Sequence, residues 1–411
     1  MPAAETERLK AMDITALVLL LLPCFLWLCF HFLILGTTHR KSFQARLPPG
    51  PRPLPIIGNL LESGDKPNLS LTTLSKTYGP LMSLKLGRST IVISSPETAQ
   101  QVLTKKDQSF SGRTVPNVFQ VAIRHQFSMG FLPASAHWRN LRKICRMQIF
   151  CPQRVDAFHG LRRKVVQQLL DHVRESCSSG QAVDVGRAAF TTALNMLSHT
   201  LFSVDLAHYD SNLSQGFKDL IQSIIVESGK PDLAFFPGLS LVDPQGIQRR
   251  LTVSFNKLVD VFDGFINQRL MLKASSTDND VLDGLLNLNK QHDHELSCND
   301  IKHLLLDLFP AGTDTTASTI EWAMAELLKN PKAMAKAREE LSEVVGKDKI
   351  VEESDISKLP YLQAVVKETF RLHPTIPLLV PRKVETDSEI LGYAVPKNAQ
   401  VLVNAWAIGR D

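Results

Sequence analysis

Cysteine is scarce in this sequence: six in 411 residues, scattered and without a Cys-x-x-Cys pair. That excludes a disulfide framework and a thiolate zinc ribbon, and it suits a reducing compartment. Neither sign of charge dominates, because 46 basic side chains face 41 acidic ones for a net charge of +5. Such a balance argues against nucleic acid as a partner. Hydrophobic residues at 44% and charged residues at 21% exclude wholesale disorder and a many-span membrane protein alike. No period of roughly 20 to 50 residues recurs, so a solenoid is excluded too.

What is present begins with one long apolar run. Ile14 to Leu35 carries no formal charge, is interrupted only by Pro23 and His31, and is long enough as a helix to cross about 30 Å of hydrocarbon. Arg40, Lys41, Arg46 and Arg52 follow it, while Arg8 and Lys10 upstream sit among Glu5, Glu7 and Asp13. The basic excess after the span predicts a retained signal-anchor with the body on the cytoplasmic side. Residues 1–13 would then be lumenal, 14–35 transmembrane, 36–58 a basic, proline-rich hinge, and 59–411 the functional body. A cytoplasmic body never meets the glycosyl transferase, so the sequons at Asn68 and Asn212 read as chance. Five prolines between Leu47 and Pro55 predict an extended spacer, ahead of Ile56, Ile57, Gly58 and Asn59.

Apolar–polar alternation over Leu81 to Leu86, then Thr90 to Ile93 after Gly87, predicts a hairpin, and Ser95-Pro96-Glu97 opens a helix. Helical periodicity dominates from there: about 135–150, 155–177, 186–205, 212–228, 244–273 and 298–329. Short apolar runs return around Glu389 to Tyr393 and Gln400 to Val403. The fold class read from these patterns is mainly α with a small β component.

Chemistry-bearing residues gather in three places. Within the helix predicted from about Asp300 to Lys329, Pro310 withholds an N–H from the Leu306 carbonyl. Gly312 lacks a side chain, and threonines 313, 315 and 316 can bond back to carbonyls one turn earlier. These features predict a weakened turn and a groove for a small ligand or water, although a kinked core helix is the plainer reading. Asp314 beside Thr315 at such a turn suits proton delivery. In the second place, Glu368 and Arg371 lie three apart on a helix over Leu362 to His373, flanked by Val365, Val366, Phe370 and Leu372. That setting predicts a buried ion pair in need of further partners. In the third, Trp138 and Arg142 share a helix face that can offer an indole N–H and a guanidinium to one anion. Beside them Arg139, Lys143 and Arg146 form a basic stripe, whose plain reading is a solvated face. His292, Asp293, His294 and Glu295 lack the i, i+4 histidine spacing of a zinc helix and read as a loop.

Taken in order, these pieces resemble a microsomal cytochrome P-450, a haem-thiolate monooxygenase. They are an N-terminal anchor, a proline hinge ending Pro55 to Asn59, a Trp-x-x-x-Arg helix, an Ala-Gly-Thr-Asp-Thr-Thr helix and Glu-x-x-Arg before Pro381-Arg382. Phe110 to Arg113, Val380 to Arg382 and Ala405 to Asp411 are similar to the plant group that hydroxylates terpenoids. The resemblance implies the cytochrome P-450 fold in the endoplasmic reticulum membrane, with haem b, an NADPH–cytochrome P-450 reductase, membrane lipid and a hydrophobic small-molecule substrate. It also implies site residues. Trp138, Arg142, Arg382 and Arg113 would bind haem propionates, and Ala311 and Gly312 would line the oxygen pocket. Asp314 and Thr315 would relay protons during dioxygen cleavage, and Glu368 with Arg371 would brace the core. Arg139, Lys143 and Arg146 would meet the reductase, while Phe119, Phe127, Ile376 and Leu378 would line the substrate cavity.

One departure stands out. The family's axial cysteine, in a Phe-x-x-Gly-x-Arg-x-Cys-x-Gly loop, is absent and would lie beyond Asp411. Without a thiolate there is no axial push to cleave dioxygen. The expectations left open are an incomplete form of a monooxygenase, inactive alone, or a naturally truncated membrane-anchored protein that binds hydrophobic ligands or a partner without catalysis. A non-haem hydrolase or metal enzyme is the most distant alternative.

Overall fold

The structure, a computed structural model, describes residues 21–23, 25, 27, 46–55, 57–115, 126–209, 212–230, 243, 245–271, 280–291, 296–346 and 349–411. The chain divides into two compact units, one of Met1–Leu47 with Leu391–Ala394 and one of Pro48–Ile390 with Val395–Asp411. The span expected over 14–35 lies largely outside the described residues. Among those described, no helix is long and apolar enough to cross a membrane.

In the second unit the proline segment is more than a spacer. The Ser83 backbone N–H donates to the Pro49 carbonyl at 2.8 Å and its hydroxyl to the Pro48 carbonyl at 2.7 Å. A Cβ at Gly50 would lie 1.9 Å from the Ser83 carbonyl oxygen, so only glycine permits this approach. Two helices follow, α1 (Leu60–Ser63) and α2 (Pro67–Tyr78). The predicted hairpin forms from β1 (Leu81–Leu86) and β2 (Arg88–Ile93), in antiparallel register from Leu81 opposite Ile93 to Leu86 opposite Arg88. Ser95 then caps α3 (Pro96–Gln100), its hydroxyl accepting the Thr98 N–H. A π turn at Gln101–Lys105 leads to β3 (Gly112–Arg113).

The helical body runs through α4 (Ala136–Gln148), α5 (Pro152–Ala157), α6 (His159–Ser178), α7 (Val185–Phe202) and α8 (Asn212–Gly229). It continues with α9 (Ile247–Met271), α10 (Val281–Gln291), α11 (Cys298–Lys329), α12 (Pro331–Val344) and α13 (Pro360–Leu372). The late strands are β4 (Arg382–Lys383), β5 (Ser388–Ile390), β6 (Tyr393–Val395) and β7 (Gln400–Val403), followed by α14 (Ala405–Ile408). One sheet has the order β1-β2-β7-β4-β3, with β2 and β7 parallel. A small apolar cluster of Leu71, Met82, Leu84, Val92 and Leu402 joins α2 to that sheet. The observed mix of long helices and short strands is the mainly helical class expected from periodicity.

Helix α11 is the axis of the main core. It starts at a capping box, where the Ser297 hydroxyl accepts the Asp300 N–H and the Asp300 carboxylate accepts the Ser297 N–H. His137 at the start of α4 reaches the other oxygen of Asp300 at 3.0 Å. At about 1.5 Å per residue the helix is about 48 Å long. Its Ile301, Leu304, Leu305 and Phe309 pack with residues of α4, α7, α8, α9 and α10 in one buried cluster. Inside that cluster the rings of Phe202, Phe262 and Phe309 interlock at centroid separations of 5.2 to 6.4 Å.

Phe309 is fully buried. Phe309→Ala is expected to lower unfolding stability by about 3–5 kcal/mol, read from denaturant midpoints. A loss within the few tenths of an exposed substitution would show that the ring cluster does not anchor α11.

Candidate functional site

The middle of α11 carries the residues that sequence reasoning singled out. Pro310 is buried, and the helix continues unbroken through it. The expected threonine back-bonds form: Thr313 Oγ1 donates to the Phe309 carbonyl at 2.8 Å, Thr315 to Ala311 at 2.7 Å and Thr316 to Gly312 at 2.8 Å. They fill rather than open the turn, because each hydroxyl returns to its own helix. A Cβ at Gly312 would stand 2.8 Å from Leu197 Cδ1, so this glycine allows α7 to pack closely on α11. Ala311 and Thr316 are exposed and Thr315 half-buried. The Asp314 carboxyl is held above the usual carboxylate range, first by burial and then by the charge of Glu321, with Lys218 of α8 opposing. A group so shifted is more readily protonated, which suits an acid.

The four residues expected to bind haem carboxylates come together as two pairs. Arg113 and Arg382 stand opposite each other in the β3–β4 register. Arg113 Nη1 donates to the Val380 carbonyl at 3.3 Å, and Arg382 Nη1 to the Phe110 carbonyl at 3.1 Å. Burial lowers the pKa of both guanidinium groups, and the charge of Arg382 lowers that of Arg113 further, while Asp107 partly offsets the cost at Arg382. Two partly buried like charges on paired strands make a locally cationic spot, whose mutual repulsion a carboxylate would relieve. On α4 the Arg142 guanidinium lies 5.5 Å from the Trp138 ring centroid, confirming their shared face. The Trp138 indole Nε1–H, however, donates to the Met129 carbonyl at 3.1 Å. Arg139, Lys143 and Arg146 are exposed on the outer side of α4.

The Glu-x-x-Arg pair forms but is not buried. Arg371 meets Glu368 at 2.5 Å with both side chains about half exposed, at 45% and 53%. The expectation of burial rested on Val366 and Phe370 as covering neighbours, and these are themselves 38% and 54% exposed. Arg371 finds a further partner all the same, since its Nη1 donates to the Gly409 carbonyl at 2.5 Å and ties α13 to the end of α14.

Of the expected cavity residues, Phe127 stacks on His303 of α11 with ring centroids 5.1 Å apart. Leu378 packs on the cluster between α2 and the sheet, and Ile376 is exposed. Phe119 and the stretch His292 to Glu295 lie outside the described residues. Leu379, next to Leu378, holds φ at 50°, a left-handed value unusual for leucine, in the turn that delivers Arg382 to β4.

Sequence reasoning missed Asp307. It sits between Leu306 and Leu308 on α11, two turns before Asp314. Ser128 Oγ lies 2.9 Å from each of its carboxylate oxygens, and the Gly130 N–H donates at 3.3 Å. Burial outweighs these bonds and pushes the carboxyl up to about 6. An acidic residue interrupting the run from Leu304 to Phe309 was the signal that could have found it.

A haem, which the resemblance implies, would present carboxylates that suit the paired cations of Arg113 and Arg382. The axial ligand has no match among the described cysteines. Cys145 is buried, and burial together with the charge of Asp307 pushes its thiol up to about 11, away from thiolate. Cys151 donates to the Met147 carbonyl at 3.1 Å, and Cys177 and Cys298 are exposed. Among the described residues no cluster of three His, Cys, Asp or Glu side chains is placed to hold a metal.

Comparison with known proteins agrees with the motifs. The family model described as cytochrome P450 matches residues 48–411. "Cytochrome P450 76T24" of Catharanthus roseus is 52% identical over 407 residues, covering 97% of this chain and 81% of that protein. "Geraniol 8-hydroxylase" of the same plant is 52% identical over 368 residues, 89% of this chain and 75% of that one. "Inactive cytochrome P450 76AD1" of Beta vulgaris is 51% identical over 396 residues, 95% of this chain and 94% of that one.

Asp307 makes a pH prediction with a definite sign. Its folded pKa is raised, so its protonation stabilises the fold, and that contribution is lost as pH rises through about 6. Measured against Asp307→Asn, the native chain should gain roughly 2–3 kcal/mol of unfolding free energy between about pH 7 and pH 4. Parallel denaturation curves for the two proteins across that range would contradict the burial described here.

Proposed function

The chain belongs to the cytochrome P450 family, and from that premise we propose a monooxygenase that hydroxylates a small hydrophobic plant metabolite. A terpenoid is the favoured substrate class, because relatives about half identical to this chain carry the name geraniol 8-hydroxylase. The observation that carries the site reading is the Arg113–Arg382 pair, two partly buried cations set side by side. These arginines would hold the carboxylates of haem, with Arg142 and Trp138 contributing from α4. Haem iron, when bound, supplies the activation of dioxygen by electrons that reach it from NADPH through a reductase.

The protein's own part is to position and to move protons. Ala311 and Gly312 shape the turn of α11 where dioxygen would lie. Asp314, with its carboxyl biased towards the protonated form, can supply a proton from its Oδ atoms. Thr315 can pass one through Oγ1 once that hydroxyl turns away from the Ala311 carbonyl it now bonds. Phe127, Phe119, Ile376 and Leu378 would offer apolar surface to the substrate. The exposed stripe of Arg139, Lys143 and Arg146 suits an acidic reductase face, by steering more than by tight binding. A signal-anchor over 14–35 would hold the body on the cytoplasmic side of the endoplasmic reticulum membrane.

This reading has the 411-residue chain inactive by itself, because none of its described cysteines is placed as an axial ligand. An alternative is a membrane-anchored binding protein without catalysis, favoured by the likeness to a protein named inactive that is covered over 94% of its length. Whether the coding sequence of a complete transcript continues past Asp411 into a haem-loop cysteine separates the two.

Purified 411-residue protein should show no reduced carbon-monoxide Soret band of a thiolate haem. A chain extended by such a loop should show that band and turn over a terpenoid panel with its reductase. In that form Thr315→Ala is expected to lower terpenoid turnover about 10²-fold. The band from the 411-residue protein would overturn the ligand argument, and an extended chain that bound haem but oxidised no terpenoid would overturn the substrate class.

A further inference from the structure

We propose that Asp307 is a positioning residue: it clasps the loop from Phe127 to Leu132 onto α11 and, through Met129 of that loop, sets the indole of Trp138. The carboxylate receives donors from both neighbours of Met129 in the loop, the Ser128 hydroxyl and the Gly130 N–H. Met129, in the middle, turns the other way. Its carbonyl accepts the Trp138 indole N–H at 3.1 Å, and its sulfur receives the Cys145 thiol at 3.7 Å. One turn of α11 above Asp307, His303 stacks on Phe127 and fixes the start of the same loop. The loop is thus held to α11 by its flanks and to α4 by its centre.

Helix geometry alone does not account for an aspartate here. Asp307 lies well inside α11, beyond the first turn where an acidic side chain stabilises a helix. Aspartate is a poor helix former, and a carboxylate withdrawn from water loses hydration that donors have to replace. The loop supplies those donors, so loop and carboxylate need one another.

The consequence for the site rests on the reading of Trp138 as a haem-carboxylate donor. An indole has a single N–H. While the clasp is closed that N–H belongs to Met129, and when the loop is released it becomes available to an anion beside Arg142. Loop position and anion binding at Trp138 are therefore coupled through one hydrogen atom.

Backbone amide exchange in the full chain tests the clasp. Asp307→Ala, which removes both acceptor oxygens, and Ser128→Ala, which removes the hydroxyl, should each speed exchange across 127–132 by about 10-fold or more. Exchange in α9 should stay unchanged, and the double variant should add little to either single one. Trp138 emission, obtained by difference from Trp138→Phe, should become more accessible to acrylamide in both variants, and Asp307→Glu should restore part of the native protection. Uniformly faster exchange, with no excess over 127–132, would reduce Asp307 to a general stabilising role and overturn the proposal. So would a released loop with Trp138 quenching unaltered. Neither readout involves haem or turnover, so failure of the clasp and failure of the monooxygenase reading are distinguishable.

Discussion

Helix α11 must be apolar enough to lie at the centre of the core, yet polar enough at its middle to do chemistry. Its burial is the constraint on which the other arrangements depend. A polar group on its buried side has to find a partner without the help of bulk water, since an unpaired one costs on the order of 1–3 kcal/mol. The threonines meet this demand inside the helix by returning their hydroxyls to the carbonyls of Phe309, Ala311 and Gly312. Asp307 meets it outside the helix, by recruiting a loop. Asp314 meets it least completely, and its carboxyl is displaced towards the protonated form.

The sheet meets a related demand in another way. Strands β3 and β4 are only two residues long, but their register sets Arg113 against Arg382. Placing two cations together within partly buried surroundings is unfavourable in isolation, and β7 beside β4 holds that register in the sheet. The same logic does not extend to Glu368 and Arg371, which neutralise one another at the surface and use the Gly409 carbonyl as their third partner.

Much of the architecture was legible from periodicity and punctuation. The hairpin over Leu81 to Ile93, the helix from Cys298 to Lys329 and the cap at Ser95 follow from alternation, a 3.6-residue repeat and Ser-Pro-Glu, all of which act over a few residues. Boundaries were less secure where two helices abut: one predicted helix over 155–177 is two, α5 and α6, meeting at Phe158. The docking of Pro48 and Pro49 on Ser83 was not legible at all, because the partner lies some thirty residues away and the sequence signal for it is one glycine, Gly50.

By itself the sequence determined which chemistry is possible, since residue types at fixed helical spacing put Trp138 with Arg142 and Asp314 beside Thr315. It also determined that no axial thiolate candidate with the family's loop is encoded up to Asp411. Tertiary structure alone decided which of those groups meet. Arg113 and Arg382 are far apart in the chain and are paired only by strand register. Gly312 faces Leu197 because α7 packs on α11. The Trp138 indole belongs to Met129 because Asp307 holds the intervening loop. Local pattern fixes what a residue can do; which partner it finds depends on packing between segments distant in sequence, where burial makes each unsatisfied group costly.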